Sequence, residues 1–195
     1  MAVSTRPYHH GNLRSALLEA AERTLARGGE LSLRELAREV GVSHAAPRRH
    51  FAGKQALLDA LAQDGFERLG LEMRAAIAGA APDFRSRLCG LARCYVRFAT
   101  EHAALLDLMY AGKHRSEGVH QAADRAFVAP LELIVEAQAA GEIVEGDVIR
   151  VGAVPWACFH GLASMANAGL LGDEPPLDEI VDEAVDRLVD GLRPR

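Results

Sequence analysis

From residue 13 to residue 192 the apolar residues of this chain recur at the spacing of one helix face, and glycine or proline interrupts them at intervals. That pattern restricts the chain to an all-α fold. "NLRSALLEAAERTLA" places Leu13, Ala16, Leu17, Ala20, Ala21 and Leu25 on one stripe, with Asn12 as N-cap and Gly28-Gly29 as the stop. "SLRELAREV" starts at Ser32 and carries Glu35 three residues on, a capping box, and buries Leu33, Leu36, Ala37 and Val40. Gly41 then permits a tight turn. Ser43 caps a next helix that must be short, because "AGK" follows Phe51. A long helix runs from about Lys54 to Ala78, with Leu57, Leu58, Leu61, Leu69, Met73 and Ile77 inward.

Pro82 marks a break. "DFRSRLCGLARCYVRFATEH" is helical through Phe84, Leu88, Leu91, Tyr95 and Phe98, and "AALLDLMY" makes a short helix. "EGVHQAADRAFVAPLELIVEAQAAG" predicts one helix bent at Pro130 and stopped at Gly141. "GDVIRVGAVPWACFHGLASMANAG" begins at an Asp147 cap, with Pro155 distorting its middle. The last helix carries Ile180, Val181, Ala184, Val185, Leu188 and Leu192 on one stripe. The sequence shows no strand pattern, repeat or low-complexity tail.

Charge is distributed unevenly. Residues 1–56 hold nine Lys/Arg against five Asp/Glu; residues 57–195 hold thirteen against twenty-two. A basic head on an acidic body points the head, and not the body, toward a polyanion. Arginine abundance alone says nothing, since the chain has twenty Arg and two Lys and is rich in Ala and Gly, which reads as a coding bias. No run of eighteen apolar residues predicts a membrane span, and the polar N-terminus lacks an apolar signal core, so a cytoplasmic protein is expected. Three cysteines (Cys89, Cys94, Cys158) without a C-x-x-C pair argue against a disulfide framework or a structural zinc site.

The stretch "GVSHAAPRRHFAGK" concentrates that basic charge. Two helices joined at "EVGVS", the second short and cationic, read as a helix-turn-helix. Leu36, Ala37, Val40, Val42 and Phe51 fix the angle between them. The second helix then offers Ser43, His44, Ala45, Ala46, Arg48 and Arg49 to the DNA major groove, about 12 Å wide. Arg can make two hydrogen bonds to guanine, and Ala can sit against a thymine methyl. His50 reaches a phosphate, and Lys54 starts the following helix, where free N–H groups also favour phosphate. Pro47, as the fourth helical residue, deletes only the first intrahelical hydrogen bond. The plainer alternative, a polar surface helix with no DNA role, is outweighed by the agreement of turn, caps, apolar spacing and clustered charge.

"LSLRELAREVGVSHAAPRRHFAGKQALLDAL" resembles the DNA-binding signature of TetR-family transcriptional regulators, and "RPYHHGNLRSALLEAA" resembles one subgroup of them. "WACFHG" (Trp156, His160, Gly161) resembles the WHG-type C-terminal domain attached to that subgroup. The resemblance implies an all-α homodimer: a three-helix helix-turn-helix head (residues 1–56), joined by a long helix to an effector-binding and dimerisation body (57–195). It implies a repressor released from a palindromic double-stranded operator by a small molecule, with no catalysis and no cofactor. Such regulators usually have Tyr where this chain has Arg48, so whether Arg48 meets phosphate or base stays open. Gly53 replaces the polar cap often found before the lysine.

In the body, Trp156 and His160 are four apart and share a helix face. They are either plain packing or the border of an effector cavity, with Tyr95, Phe98, His102, Met109, Tyr110 and Phe127 as the other pocket candidates. Nothing in the sequence beside Cys89 and Cys94 lowers a thiol pKa, which disfavours a redox sensor. His9 and His10 sit beside Arg6 in the N-terminal arm, suited to a phosphate or a cap; His102, His114 and His120 lack metal-ligand spacing. The helices around 147–168 and 177–192 carry the most continuous apolar faces, and two copies of each form a four-helix bundle. The reading from a different class is a helical small-molecule-binding protein or enzyme without DNA activity. No Ser/Cys–His–acid set, glycine-rich phosphate loop or paired-carboxylate motif supports it.

Overall fold

The computed structural model describes residues 13–172 and 174–194. Among them the backbone forms nine α-helices and one short 3-10 turn, with no strand. The helices are α1 (Leu13–Ala26), α2 (Leu33–Val40), α3 (Lys54–Gly79), α4 (Phe84–Glu101) and α5 (Ala103–Lys113). They continue with α6 (Glu117–Ala126), α7 (Val128–Ala139), α8 (Val148–Asn167) and α9 (Leu177–Leu192). The expected N-cap Asn12, and Arg6, His9 and His10, lie outside the described residues.

α3 is the spine. It crosses residues 56 and 57 without interruption and buries Leu57, Leu61, Phe66, Leu69 and Met73 completely. It packs against α1 on the head side and α4, α5 and α6 on the body side. Contact with α6 is close enough that a Cβ at Gly70 would lie 2.8 Å from the Ala126 Cα, so only glycine fits there. Side-chain caps fix where the body helices begin. The Asp83 carboxylate accepts from the Ser86 N–H at 2.9 Å, and Asp147 accepts from the Arg150 N–H at 2.9 Å. α4 is tied to α9 by ion pairs of Arg93 with Asp182 and of Arg85 with Asp186.

Three local expectations change. Ser32 sits at the N-cap of α2 with extended backbone, but its side chain makes no capping hydrogen bond, so the capping box is not closed. The single helix expected over 117–141 is two, α6 and α7, separated at Phe127. The break precedes Pro130 because a proline ring collides with the carbonyl four residues back, here Ala126; Pro130 is then the third residue of α7, where an N–H is not required. The helix expected after Ser43 is a turn at Ser43–Ala46, closed by Ala46 N–H to Ser43 O at 2.9 Å, followed by the 3-10 turn Pro47–Arg49. Pro47 cannot donate to Ser43, and its ring crowds that carbonyl, so the first turn tightens to i→i+3 bonding.

α8 runs through Pro155 unbroken. By length and composition it could cross a membrane (mean hydropathy 1.2), yet only 17% of that stretch is buried within the protomer. Pro155, Phe159 and Ala163 face inward, while Ile149, Val154 and Met165 are exposed. On α9 the buried row is Val181, Val185, Val189 and Leu192, and Ile180, Ala184 and Leu188 of the expected stripe are half-buried beside it.

Candidate functional site

The head is built around the turn after α2. Gly41 has φ 77°, in the left-handed region that favours glycine. Its N–H meets the Arg38 carbonyl at 3.2 Å and the Val42 N–H meets Ala37 O at 2.9 Å, the paired bonds of a Schellman stop. Leu36, Ala37 and Phe51 are buried, and Val40 and Val42 pack half-buried against them. Pro47 is buried as well, so it anchors the turn from below. The other side faces out: Ser43, His44, Ala45, Arg48, Arg49 and His50 are exposed and Ala46 is half-buried. Arg48 and Arg49 have no carboxylate partner among the described residues. Lys54 is the first residue of α3, exposed, with Nζ 3.5 Å from an exposed Glu30 carboxylate. Such a surface pair is worth little and yields readily to a phosphate. Gly53 offers no capping side chain, which leaves the first N–H groups of α3 free beside Lys54.

In the body a cavity of about 470 Å³ lies among α4, α5, α6, α7 and the first half of α8. Its walls are aliphatic (Leu88, Leu91, Leu131, Ile134) and aromatic (Tyr110, Phe127, Trp156, Phe159), with Lys113 and Asp124 the two charged residues. Volume and apolar character are those of a small-molecule site. Phe127 and Trp156 stand edge to face at 4.5 Å between centroids, and Trp156 lies 4.3 Å from the Tyr95 ring. Behind this wall runs a polar chain. The Tyr95 hydroxyl is 3.3 Å from that of Tyr110 and 2.8 Å from His160 Nδ1. Both phenols are held protonated: burial, then the neighbouring Tyr110, pushes Tyr95 well above its usual range, and burial raises Tyr110. Tyr110 donating to Tyr95 and Tyr95 donating to Nδ1 satisfies all three groups and puts the imidazole proton on Nε2.

Of the pocket residues expected from sequence, Tyr110, Phe127 and Trp156 line the cavity. Tyr95 stands behind it, and His160 touches Tyr95 from the exposed face of α8. Phe98 and Met109 are core residues, and His102 lies elsewhere. Its ring is 4.9 Å from Phe98, and its Nδ1 is 3.1 Å from the Glu22 carboxylate. That contact edges a second concavity of about 560 Å³ where α1 meets the α4–α5 junction. There Arg68 of α3 donates two hydrogen bonds to Glu22, at 2.8 and 2.9 Å, tying head to body. The sequence reading missed this pair because its partners are 46 residues apart. It also missed Lys113, although Lys113 is one of only two lysines in an arginine-rich chain.

The surroundings of the three thiols favour their protonated forms. Burial first, then Asp182, pushes Cys89 up to about 11. Burial also pushes Cys94 up to about 11 and raises Cys158. Among the described residues no cluster of His, Cys, Asp or Glu is arranged to hold a metal ion.

A helix-turn-helix head on a helical body is also what comparison with known proteins finds. Residues 17–61 match the family model of bacterial regulatory proteins, tetR family, and residues 88–188 match the tetracyclin repressor-like C-terminal domain. The chain belongs to the TetR family. It is a transcription regulator with a DNA-binding helix-turn-helix and a ligand-binding domain, and the family's members are not enzymes. Among solved structures, a Rhodococcus sp. RHA1 protein of unknown function is 47% identical, with TM-score 0.89, over 97% of this chain and 100% of that one. A TetR family transcription regulator from Marinobacter aquaeolei VT8 shares the fold at 18% identity and TM-score 0.75, over 95% and 97% of the two chains. A regulatory protein of the tetR family from Rhodococcus RHA1 does so at 17% and 0.71, over 94% and 98%. No curated protein matches the sequence significantly. The C-terminal match spans Trp156, His160 and Gly161 and is to a tetracyclin repressor-like domain; it does not by itself assign the WHG-type subgroup that those residues resemble.

Proposed function

We propose that this TetR-family regulator is a cytoplasmic repressor, dimeric on a palindromic operator, that a small molecule releases. The observation that carries the reading is the turn at 43–50: rigid below through Pro47 and Phe51, exposed above, with Arg48 and Arg49 unpaired among the described residues and Lys54 only loosely held. Arg49 and His44 read base edges there, while His50 and Lys54 hold phosphates. Arg48 projects from the same 3-10 turn and contacts one or the other. Ser43, Ala45 and Ala46 form the close-fitting floor.

The dimer rests on α8 and α9. An apolar helix with Ile149, Val154 and Met165 exposed in one protomer is relieved by burial against a second copy, and four such helices form a bundle. Two heads then address half-sites about 34–36 Å apart. The division at residue 56 is functional rather than mechanical, since α3 is one helix across it. Trp156, His160 and Gly161, the residues of the WHG-like motif, act as one unit through Tyr95: Trp156 faces the cavity and His160 faces the subunit interface.

An effector in the cavity shifts the dimer toward a geometry in which the two heads no longer fit the groove, by as much as its affinity differs between the two states. A screen of small molecules for release of a duplex selected from a random library tests this. Release by compounds that also shift Trp156 fluorescence supports it; compounds that bind the cavity and leave DNA affinity unchanged contradict it.

A further inference from the structure

We propose that the body cavity selects a monoanion: an apolar, carboxylate-bearing molecule whose acid group meets Lys113. The inference rests on the reading of this cavity as the effector site and adds the chemistry of what it takes. The walls supply no other feature that distinguishes one apolar ligand from another. Leucine, isoleucine and the three rings of Phe127, Trp156 and Phe159 accept any apolar body of suitable size. Selectivity therefore falls to the polar groups on the wall, and there are three: Lys113, Asp124 and the Tyr110 hydroxyl.

Lys113 and Asp124 pull in opposite directions, and their surroundings decide between them. Lys113 is half-buried and has no carboxylate partner among the described residues. Asp124 is exposed, and His120 Nε2 stands 3.4 Å from its carboxylate. A charge in water is screened over a short range, whereas a charge at the wall of an apolar cavity acts through a weaker dielectric. The ammonium is thus the stronger of the two toward a bound molecule. As the last residue of α5, Lys113 also complements that helix's dipole, which accounts for a cation at this position but not for its presence on a cavity wall. The Tyr110 hydroxyl directs its one proton to Tyr95, 3.3 Å away, which leaves Lys113 as the donor that faces a bound molecule. A carboxylate is the group that accepts from the Lys113 ammonium with charge complementarity.

Three probes with one body and different heads test the proposal: 4-phenylbutanoate, 4-phenylbutan-1-ol and 4-phenylbutylamine. Trp156 is the chain's single tryptophan and lines the cavity, so its emission reports binding directly. The acid should bind the full-length protein about tenfold more tightly than the alcohol or the amine, as a charge-assisted hydrogen bond at a half-buried site allows. Lys113→Met should bring the acid down to the alcohol's affinity and leave the alcohol unchanged, which also shows that the variant folds; Lys113→Arg should keep the preference. A Cβ at Gly152 meets only ordinary contacts with Ile134 and Leu131, so Gly152→Phe fills the cavity and should abolish all three responses. An alcohol or amine that binds as well as the acid, or a preference that survives Lys113→Met, overturns the monoanion while leaving the effector cavity standing. A failure of all three probes to shift Trp156 emission at millimolar concentration, or shifts that persist in Gly152→Phe, overturns the cavity reading and this inference with it.

Discussion

Arg49 and Lys54 are both exposed cations of the head, yet they are placed to do different work. Arg49 projects from the 3-10 turn, and Lys54 opens α3 beside uncapped N–H groups. Lys54→Ala and His50→Ala are therefore expected to weaken binding to all duplexes alike. Arg49→Ala or His44→Ala should change which bases are preferred, by about 1–3 kcal/mol per lost base contact. Selection of binding sites by each variant checks this, and a uniform loss for Arg49→Ala would remove it from the base-reading face. A second residue-scale expectation concerns the thiols. Cys89 and Cys94 stand at about 11 against an ordinary 9.0. Below pH 9 their thiolate fraction is then about a hundredfold lower than in the unfolded chain, and native alkylation by iodoacetamide should slow in proportion. The protonated thiol is the favoured folded form, so this contribution is full below pH 9 and lost as pH rises toward 11. Equal alkylation rates for folded and urea-unfolded protein would refute the burial that causes the shift.

At the scale of elements, the sequence located what depends on local rules and missed what depends on distant ones. Gly28, Gly41 and Gly141 end helices as expected, each with positive φ, because the left-handed backbone is a property of one residue. Asp147 caps α8 for the same reason. The recognition element was legible as a site but not as a form. Its charge and its buried Phe51 are visible in the letters, whereas the tightening at Pro47 depends on which carbonyl the ring crowds. Phe98, His102 and Met109 read like pocket residues because aromatic, His and Met side chains suit both a core and a ligand site. Only the packing of α3 against α4 and α5 places Phe98 and Met109 in the core. Two changes test the elements. Gly41→Ala forces a Cβ into the left-handed region and should destabilise the protein by about 1 kcal/mol, read from the urea midpoint. Glu22→Gln leaves the partly buried Arg68 with only the 3.8 Å contact to Asp64 and no ion pair where α1 meets α3, and should cost about 1–2 kcal/mol after allowance for the exposure of the pair. A midpoint unchanged in Glu22→Gln would mean that head and body are not held together there.

For the whole molecule, the head carries an excess of positive charge, the body carries an excess of negative charge, and one continuous helix joins them. On the proposed reading, that division lets a cavity in the body govern how a cationic head meets DNA. On the same reading α8 also meets a partner, which would cover Ile149, Val154 and Met165, exposed in one protomer. Removal of residues 177–195 should leave monomers at micromolar concentration in analytical ultracentrifugation; a truncated chain that stays dimeric would take α9 out of the interface. The central claim, that the exposed turn at 43–50 grips the duplex through its cations, is tested most directly by fluorescence anisotropy of a selected palindromic duplex titrated at several salt concentrations. The expected result is an affinity that falls steeply and linearly on logarithmic axes, with a slope reduced by about one for each phosphate contact that Lys54→Ala removes. An affinity indifferent to salt, or a slope identical in wild type and Lys54→Ala, would contradict it.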